Sequence, residues 1–454
     1  MAKTKEINVD MTKGSIAKGL ISFTVPILVG NVFQQFYTIA DTMIVGRTLG
    51  ANALAAVGST GTISFLVLGM ALGLASGFTV VTSQKFGAKD ERGMRLSVTN
   101  GIILLGIISI LLTALSTIYM RKILTLMNTP EDIFENAYIY ILIICAGLAT
   151  TVFYNLFAGY LRAVGNSQVP LYFLLLSSGL NIVLDLVFII VFDWGVAGAA
   201  IATVLSQLIA ALGSLMYILA KEKQLVPKKE DWHLEKSIAS VQMYIGLPMG
   251  LQYSITASGT MVMQASINIF GSAAVAAFSS ASKCSAIFTS VFNSIGQAIP
   301  TYVGQNFGKC DLDRINKGVK LTTIFSIVYS VIAAVIVIAL LPYELRLFVS
   351  SEAEVIALMP WARIYIIESG LFYIPLGLIF IYRNSMQAFD ASMPALAAGI
   401  VEMVTRVGCA ALAIFINSYP VAVFCDSAAW LTGGVYCVIA YIIEMKKLKK
   451  KYNR

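Results

Sequence analysis

Six ionisable side chains sit inside long apolar stretches: Asp41, Asp185, Lys283, Glu368, Glu402 and Arg406. A charge at mid-bilayer costs about 2.5–3.5 kcal/mol on insertion scales, so each needs a partner or a purpose. Glu402 and Arg406 are four residues apart, which brings acid and base onto one helix face. They read as a buried structural pair, with substrate contact as the competing role. Asp41 and Asp185 have no base one turn away; the nearest to Asp41 is Arg47, six residues on. At about 1.5 Å of rise per residue, Asp41, Asp185 and Thr203 all fall roughly 8–12 Å below the same surface. Asn181 lies one turn from Asp185. Two carboxylates, an amide oxygen and a hydroxyl form a hard-oxygen set of the kind small cations prefer. Two close carboxylates can instead share a proton. The competing reading is that each aspartate caps a helix end or bonds to nearby serines.

The elements that must position these groups are helices. Of the 454 residues, 58% are hydrophobic and only 12% charged, whereas a soluble domain carries about 25% charge. Apolar runs longer than about 18 residues recur throughout, as at 101–118, 171–192 and 321–341. Polar breaks divide the chain into twelve spans near 16–46, 54–82, 95–119, 133–161, 167–192, 195–220, 238–269, 275–304, 317–341, 355–385, 392–416 and 421–444. The expected fold is an all-α integral membrane protein of twelve transmembrane helices in two pseudo-symmetric six-helix lobes. The N-lobe covers 1–220, a cytoplasmic linker 221–237 and the C-lobe 238–454. Pro26 and Pro248 each sit about ten residues into the first helix of a lobe, where a missing N–H and a ring clash predict a kink.

Lysine and arginine set the orientation. With the N-terminus inside, 25 of the 32 bases fall on inner segments, among them Lys3, Lys5, Arg162, Arg383 and Arg454, and five on outer loops. Both termini are therefore expected in the cytoplasm. The +8 net charge follows this placement and does not suggest nucleic acid. The first apolar run lacks an A-x-A site, so no cleavable leader is expected.

The halves repeat. Gln84-Lys-Phe-Gly-Ala-Lys-Asp90 answers Gln305-Asn-Phe-Gly-Lys-Cys-Asp311, and residues 50–56 answer 271–277, both at an offset of 221. Six spans per half predict a parallel repeat about an axis along the membrane normal, with a substrate path between lobes. At that offset Asn181 falls on Glu402 and Asp185 on Arg406, while Asp41 falls on Val262 or Met263. The acidic site is not duplicated. Tyr37, Tyr154, Met70, Met261 and Met263 could supply an adaptable apolar wall, with Lys283 and Glu368 as charged contacts. Core or lipid packing is the alternative for each.

The prolines, the paired Q-x-F-G segments, Leu161-Arg-Ala-Val-Gly-Asn-Ser-Gln-Val-Pro170 and Asn181-Ile-Val-Leu-Asp185 together resemble the multidrug and toxic compound extrusion (MATE) family over nearly the whole chain. The resemblance implies two lobes that open alternately. It also implies export of organic cations or drugs in exchange for sodium or protons, and a cation site at Asp41, Asn181, Asp185 and Thr203. Residues 251–260 hold no acid, which departs from members with a helix-7 sodium ligand.

Other classes fit less well. With one histidine, no HExxH and no Ser-His or Cys-His arrangement, an enzyme is not expected, and no P-loop marks an ATP-driven pump. A flippase for a lipid-linked or amphipathic substrate is the alternative transporter, but its cavity should be basic. Six scattered cysteines suggest neither disulfide nor metal, and His233 reads as a solvated loop residue. No cofactor is expected beyond the coupling ion, and the expected setting is a monomer in the cytoplasmic membrane.

Overall fold

The computed structural model describes residues 8–127, 129–348 and 352–452. Lys3, Lys5 and Arg454, counted among the inner bases, lie outside them. The described residues form helices joined by short turns, with no strand among them. They run α1 (Ile16–Leu49), α2 (Ala51–Ser59), α3 (Gly61–Gly87), α4 (Glu91–Leu126), α5 (Glu131–Ala146), α6 (Leu148–Ala163), α7 (Gln168–Leu186) and α8 (Gly195–Lys221). The second series is α9 (Lys236–Asn268), α10 (Ser272–Gly308), α11 (Leu312–Phe348), α12 (Glu352–Leu371), α13 (Tyr373–Ala388), α14 (Ser392–Ile416) and α15 (Tyr419–Tyr452).

Each expected span has its helix. Among the described residues nine helices are long and apolar enough to cross a membrane, and eleven if each of two bent pairs counts once. The twelfth is α9. It is 33 residues long, but Gln242, Gln252, Ser254, Thr256, Ser258 and Thr260 dilute its apolar character. Large apolar side chains such as Ile110, Ile118 and Phe415 point outward, as lipid contact requires. Hydroxyls on these faces bond back to their own helix, as Thr38 does to the Gln34 carbonyl (2.9 Å) and Thr42 to that of Thr38 (2.7 Å). Within a bilayer such groups have no water to turn to.

Local chemistry sets the helix ends. Asp90 accepts from the Gly93 N–H at 2.8 Å and Asp311 from the Arg314 N–H at 2.9 Å. These N-caps start α4 and α11. The residues just before them, Lys89 and Cys310, take left-handed φ values of 58° and 62°. The aspartate ending each Q-x-F-G-x-x-D segment is therefore a helix cap.

Two helix pairs are sharply bent, neither of them at Pro26 or Pro248. Pro26 and Pro248 lie inside helices that run without a break. The sharp bends fall instead between α5 and α6 at Gly147 (44°) and between α12 and α13 at Phe372 (47°). A proline removes one i→i−4 bond yet leaves its neighbours in place, whereas these bends interrupt the helix itself.

Contacts divide the chain into two compact units: Met1–Ser254 with Gly304–Lys309, and Ile255–Val303 with Cys310–Arg454. Unit 1 buries Leu74, Phe78, Leu105, Leu156 and Tyr160 among α3, α4, α6 and α8. Unit 2 buries Ile267, Phe292, Val337, Tyr373 and Ile379.

Residues 222–235 are clipped to unit 1. Arg95 Nε lies 2.8 Å from Asp231 Oδ2, and the Glu235 N–H donates to Asn100 Oδ1 at 2.9 Å. Burial works to raise the Asp231 carboxyl, but the Lys228 N–H and the Arg95 guanidinium outweigh it and hold it below the usual carboxylate range. A carboxylate depressed in the folded state contributes stability above its unfolded value of about 3.9, and that stability is lost as pH falls through the folded value. Asp231→Asn should therefore cost about 1.5–3 kcal/mol at pH 7. Thermal unfolding of the detergent-solubilised pair should show the gap narrowing towards pH 3; a constant gap would contradict the assignment.

Candidate functional site

The pocket in unit 1 is built where α1, α5, α7 and α8 meet. α7 carries Asn181 and Asp185, then passes into a π-helical turn at Val187–Val191, closed by the Phe192 N–H on the Val187 carbonyl at 3.0 Å. Such widened turns often mark functional sites. Gly198 on α8 packs against the Phe188 backbone, where a Cβ would be tight at 3.1 Å. This close approach lets Thr203, further along α8, reach α7. Asn181 Nδ2 donates to Thr203 Oγ1 at 3.3 Å, while Thr203 bonds back to the Ala199 carbonyl at 3.1 Å.

Asp41 on α1 completes the site. Its carboxyl is in hydrogen-bonding contact with that of Asp185. Asp185 is 0% exposed and Asn181 1%, and Asp41 Oδ1 is buried with no hydrogen-bond partner among the described residues. Tyr37, one turn before Asp41, hydrogen-bonds with Thr203, and the phenol of Tyr140 on α5 faces both acids. The four residues predicted from depth are thus brought together. Tyr37 belongs to the polar wall of the site and not to an apolar surface. Tyr140 was not predicted; a tyrosine in an apolar run carries no sequence signal of what it faces. A small cavity of about 10 Å³ adjoins the site, lined by Gln34, Tyr37, Ser177, Asn181, Thr203 and Gln207 among others. It is about large enough for one water-sized occupant.

Two carboxyls this close in a dry setting strongly disfavour both being charged with nothing between them. The pair can hold a proton, or a small cation with help from the Asn181 amide and the Thr203 hydroxyl. The arrangement has no nucleophile–base pair and supports binding, not bond breaking.

Unit 2 is built differently. Glu402 and Arg406 on α14 do meet, but at 3.8 Å theirs is the longest link of a larger set. Arg383 Nη1 lies 2.9 Å from Glu402 Oε1 and Arg406 Nε 2.8 Å from Asp426 Oδ1. Two bases and two acids from α13, α14 and α15 form one buried network. Arg383, counted among the inner bases near the end of the span 355–385, is buried on α13. Asp426 was overlooked, although an acid inside the last apolar run was a readable signal.

The offset of 221 does not persist. α7 begins at Gln168 and α14 at Ser392, 224 apart, which sets Asn181 against Thr405 and Asp185 against Cys409. α4 and α11 still start 221 apart and the bends at Gly147 and Phe372 are already 225 apart, so the extra residues that shift the register lie between those helix starts and the bends. The acid pair is unduplicated on either alignment.

The other predicted cavity residues scatter. Tyr154 is 6% exposed, donates to the Pro170 carbonyl at 3.2 Å and belongs to the unit 1 core. Met263 is 3% exposed in the unit 2 core. Neighbouring side chains of the two cores cover both. Met261 and Lys283 are exposed. Glu368 is half-buried on α12 near the Tyr419 phenol, and its Oε2 has no hydrogen-bond partner among the described residues.

The family model described as MatE matches the chain twice, over residues 26–187 and 248–412. The chain belongs to the MatE family. The two matches start at Pro26 and Pro248, so the repeat read from the sequence is the MatE repeat. A relative described as probable multidrug resistance protein YpnP of Bacillus subtilis is 31% identical over 396 residues, covering 87% of each chain. One described as an FAD transporter of Shewanella oneidensis is 23% identical over 86% of each. A crystal structure of MATE in complex with MaL6 shares the fold with a TM-score of 0.91 at 21% identity, covering 98% of this chain and 100% of that one. MatE proteins are membrane transporters, so this chain is a multi-pass transporter and not an enzyme.

Removing one partner from a buried ionic network leaves uncompensated charge and costs about 3–5 kcal/mol. Arg406→Ala should lower thermal stability on that scale, and Arg406→Ala combined with Asp426→Ala should recover part of it. Melting in detergent tests this; a double variant as unstable as the summed singles would rule out the coupling.

Proposed function

We propose that this transporter is an efflux antiporter that exports organic cations or drugs in exchange for inward flow of a proton or sodium ion bound at Asp41 and Asp185. The observation that carries the reading is the contact between these two carboxyls, brought from separate helices into a pocket walled by Tyr37, Tyr140, Asn181 and Thr203. Multidrug resistance names among its relatives support the cargo class. The setting we infer is a monomer in the cytoplasmic membrane with both termini inside, as the lysine and arginine distribution supports.

In the proposed cycle the outward-open state takes up the ion at the acid pair. Neutralisation removes the cost of holding two charges in a dry site. It lets α1 bend near Pro26, where the missing N–H lowers the resistance of the helix. The bend displaces the cargo. The ion drives this step only through its different affinity for the two states. The acids favour cationic cargo over the pyrophosphate headgroup that a lipid-linked-saccharide flippase must hold.

Asp41→Asn and Asp185→Asn should each lower dye efflux from inverted vesicles by about tenfold or more, the scale of a coupling energy of about 1–3 kcal/mol. Imposing pH and sodium gradients separately identifies the ion. Full gradient-driven efflux in both variants would reject the site.

A further inference from the structure

The paired Q-x-F-G segments are not used by the acid-pair mechanism, yet their backbones approach each other very closely. Gln84–Gly87 ends α3 and Gln305–Gly308 ends α10. They meet reciprocally: a Cβ on Gly87 would overlap the Gln305 carbonyl oxygen, and a Cβ on Gly308 would overlap that of Gln84. Ser83 likewise fills the space beside Gly304. Only glycine permits this approach at either position, which explains why both copies of the segment carry it.

The chain before α1 lies across this contact. The Val9 N–H donates to the Gly165 carbonyl at 2.9 Å. The Met11 N–H donates to Gln305 Oε1 at 3.0 Å, and Asn306 Nδ2 donates back to the Met11 carbonyl at 3.2 Å. Lys309 Nζ donates to the Thr12 carbonyl at 3.1 Å. Gln305 also donates through Nε2 to the Ala163 carbonyl at the end of α6, at 2.8 Å. Gln305 and Asn306 are both fully buried, and Met11 is 2% exposed. The Gln305 side chain thus joins three segments: the strap, the end of α6 and the end of α10. Asp10 stiffens the strap by accepting from the Thr12 N–H and hydroxyl at 2.9 and 2.6 Å.

We propose that residues 9–12 are a latch that is seated only while the two glycine segments touch, so that strap and interlock open and close as one two-state element. The geometry requires it: Met11 and Thr12 bond to Gln305, Asn306 and Lys309, all borne by the segment that the glycines hold in place. Separation of Gly87 from Gln305 carries the strap's partners away. The purpose of such a latch, holding one state of a transport cycle, rests on the transporter reading; its test does not.

The test uses full-length protein in detergent, with the six native cysteines replaced and Met11→Cys introduced. A polar maleimide should label this cysteine slowly in the parent. Gly87→Ala or Gly308→Ala should speed labelling at least tenfold, while a control Leu124→Cys, fully buried in the same unit, stays protected. Should the alanine variants fail to give a single size-exclusion peak, Gln305→Ala removes the Met11 acceptor without touching the glycines and carries the same expectation. Labelling that is fast in the parent, equally slow in every variant, or matched by the control would overturn the latch.

Discussion

Two acids held together in a dry pocket are the constraint around which unit 1 is organised. Each alone could be accommodated at a helix end or near a bilayer surface. Together, from α1 and α7, they demand something positive between them. That demand accounts for the surroundings. The π-helical turn after Asp185 ends the regular α-helix just past the acid, Gly198 draws α8 in, and Thr203 then reaches Asn181 and Tyr37. Hydroxyls such as those of Thr38 and Thr42 bond only to their own helix, whereas Asn181 bonds across to Thr203 on α8, which is what a site needs and a lipid-facing surface does not.

The spans, the repeat and the meeting of Asp41, Asn181, Asp185 and Thr203 were legible in the sequence because each rests on a local or one-dimensional signal. Run length marks a crossing helix, and depth along a helix is a count of residues. What failed depended on three-dimensional neighbours or on register. Tyr154 and Met263 were read as cavity wall from residue type, but burial is decided by the helix packed against them. Arg383 was counted with the inner bases from its place near the end of a span; Glu402 on the neighbouring helix α14 keeps it buried. The offset of 221 held for the Q-x-F-G pair and then slipped, since a single alignment constant cannot follow insertions. The strap bonds across 294 or more positions of sequence at Met11 and Gln305, and no periodicity reports such a contact.

The bends at Gly147 and Phe372 illustrate a related limit. Proline is the residue expected to bend a helix, yet the two sharp breaks occur at a glycine and a phenylalanine, 225 positions apart. Residues so different at equivalent points show that the bend is imposed by packing in each half. Pro26 and Pro248 each leave their helix with one bond fewer.

The two units compensate their buried acids differently. Unit 2 holds acids on α14 and α15, but the positive charge between Glu402 and Asp426 is the guanidinium of Arg406, which is part of the chain. A cation that cannot leave has the same occupancy in every state and contributes no differential affinity, so it can drive no equilibrium. What it supplies is a fixed geometry for three helices. In unit 1 the acids Asp41 and Asp185 face the neutral polar groups of Tyr37 and Tyr140, with Asn181 and Thr203 beside them. Under the proposed binding of an ion at Asp41 and Asp185, the compensation there comes and goes, and only such a compensation can couple a gradient to a change of shape. On that proposal the same scaffold, used twice, has one half that exchanges its cation and one half that carries its own.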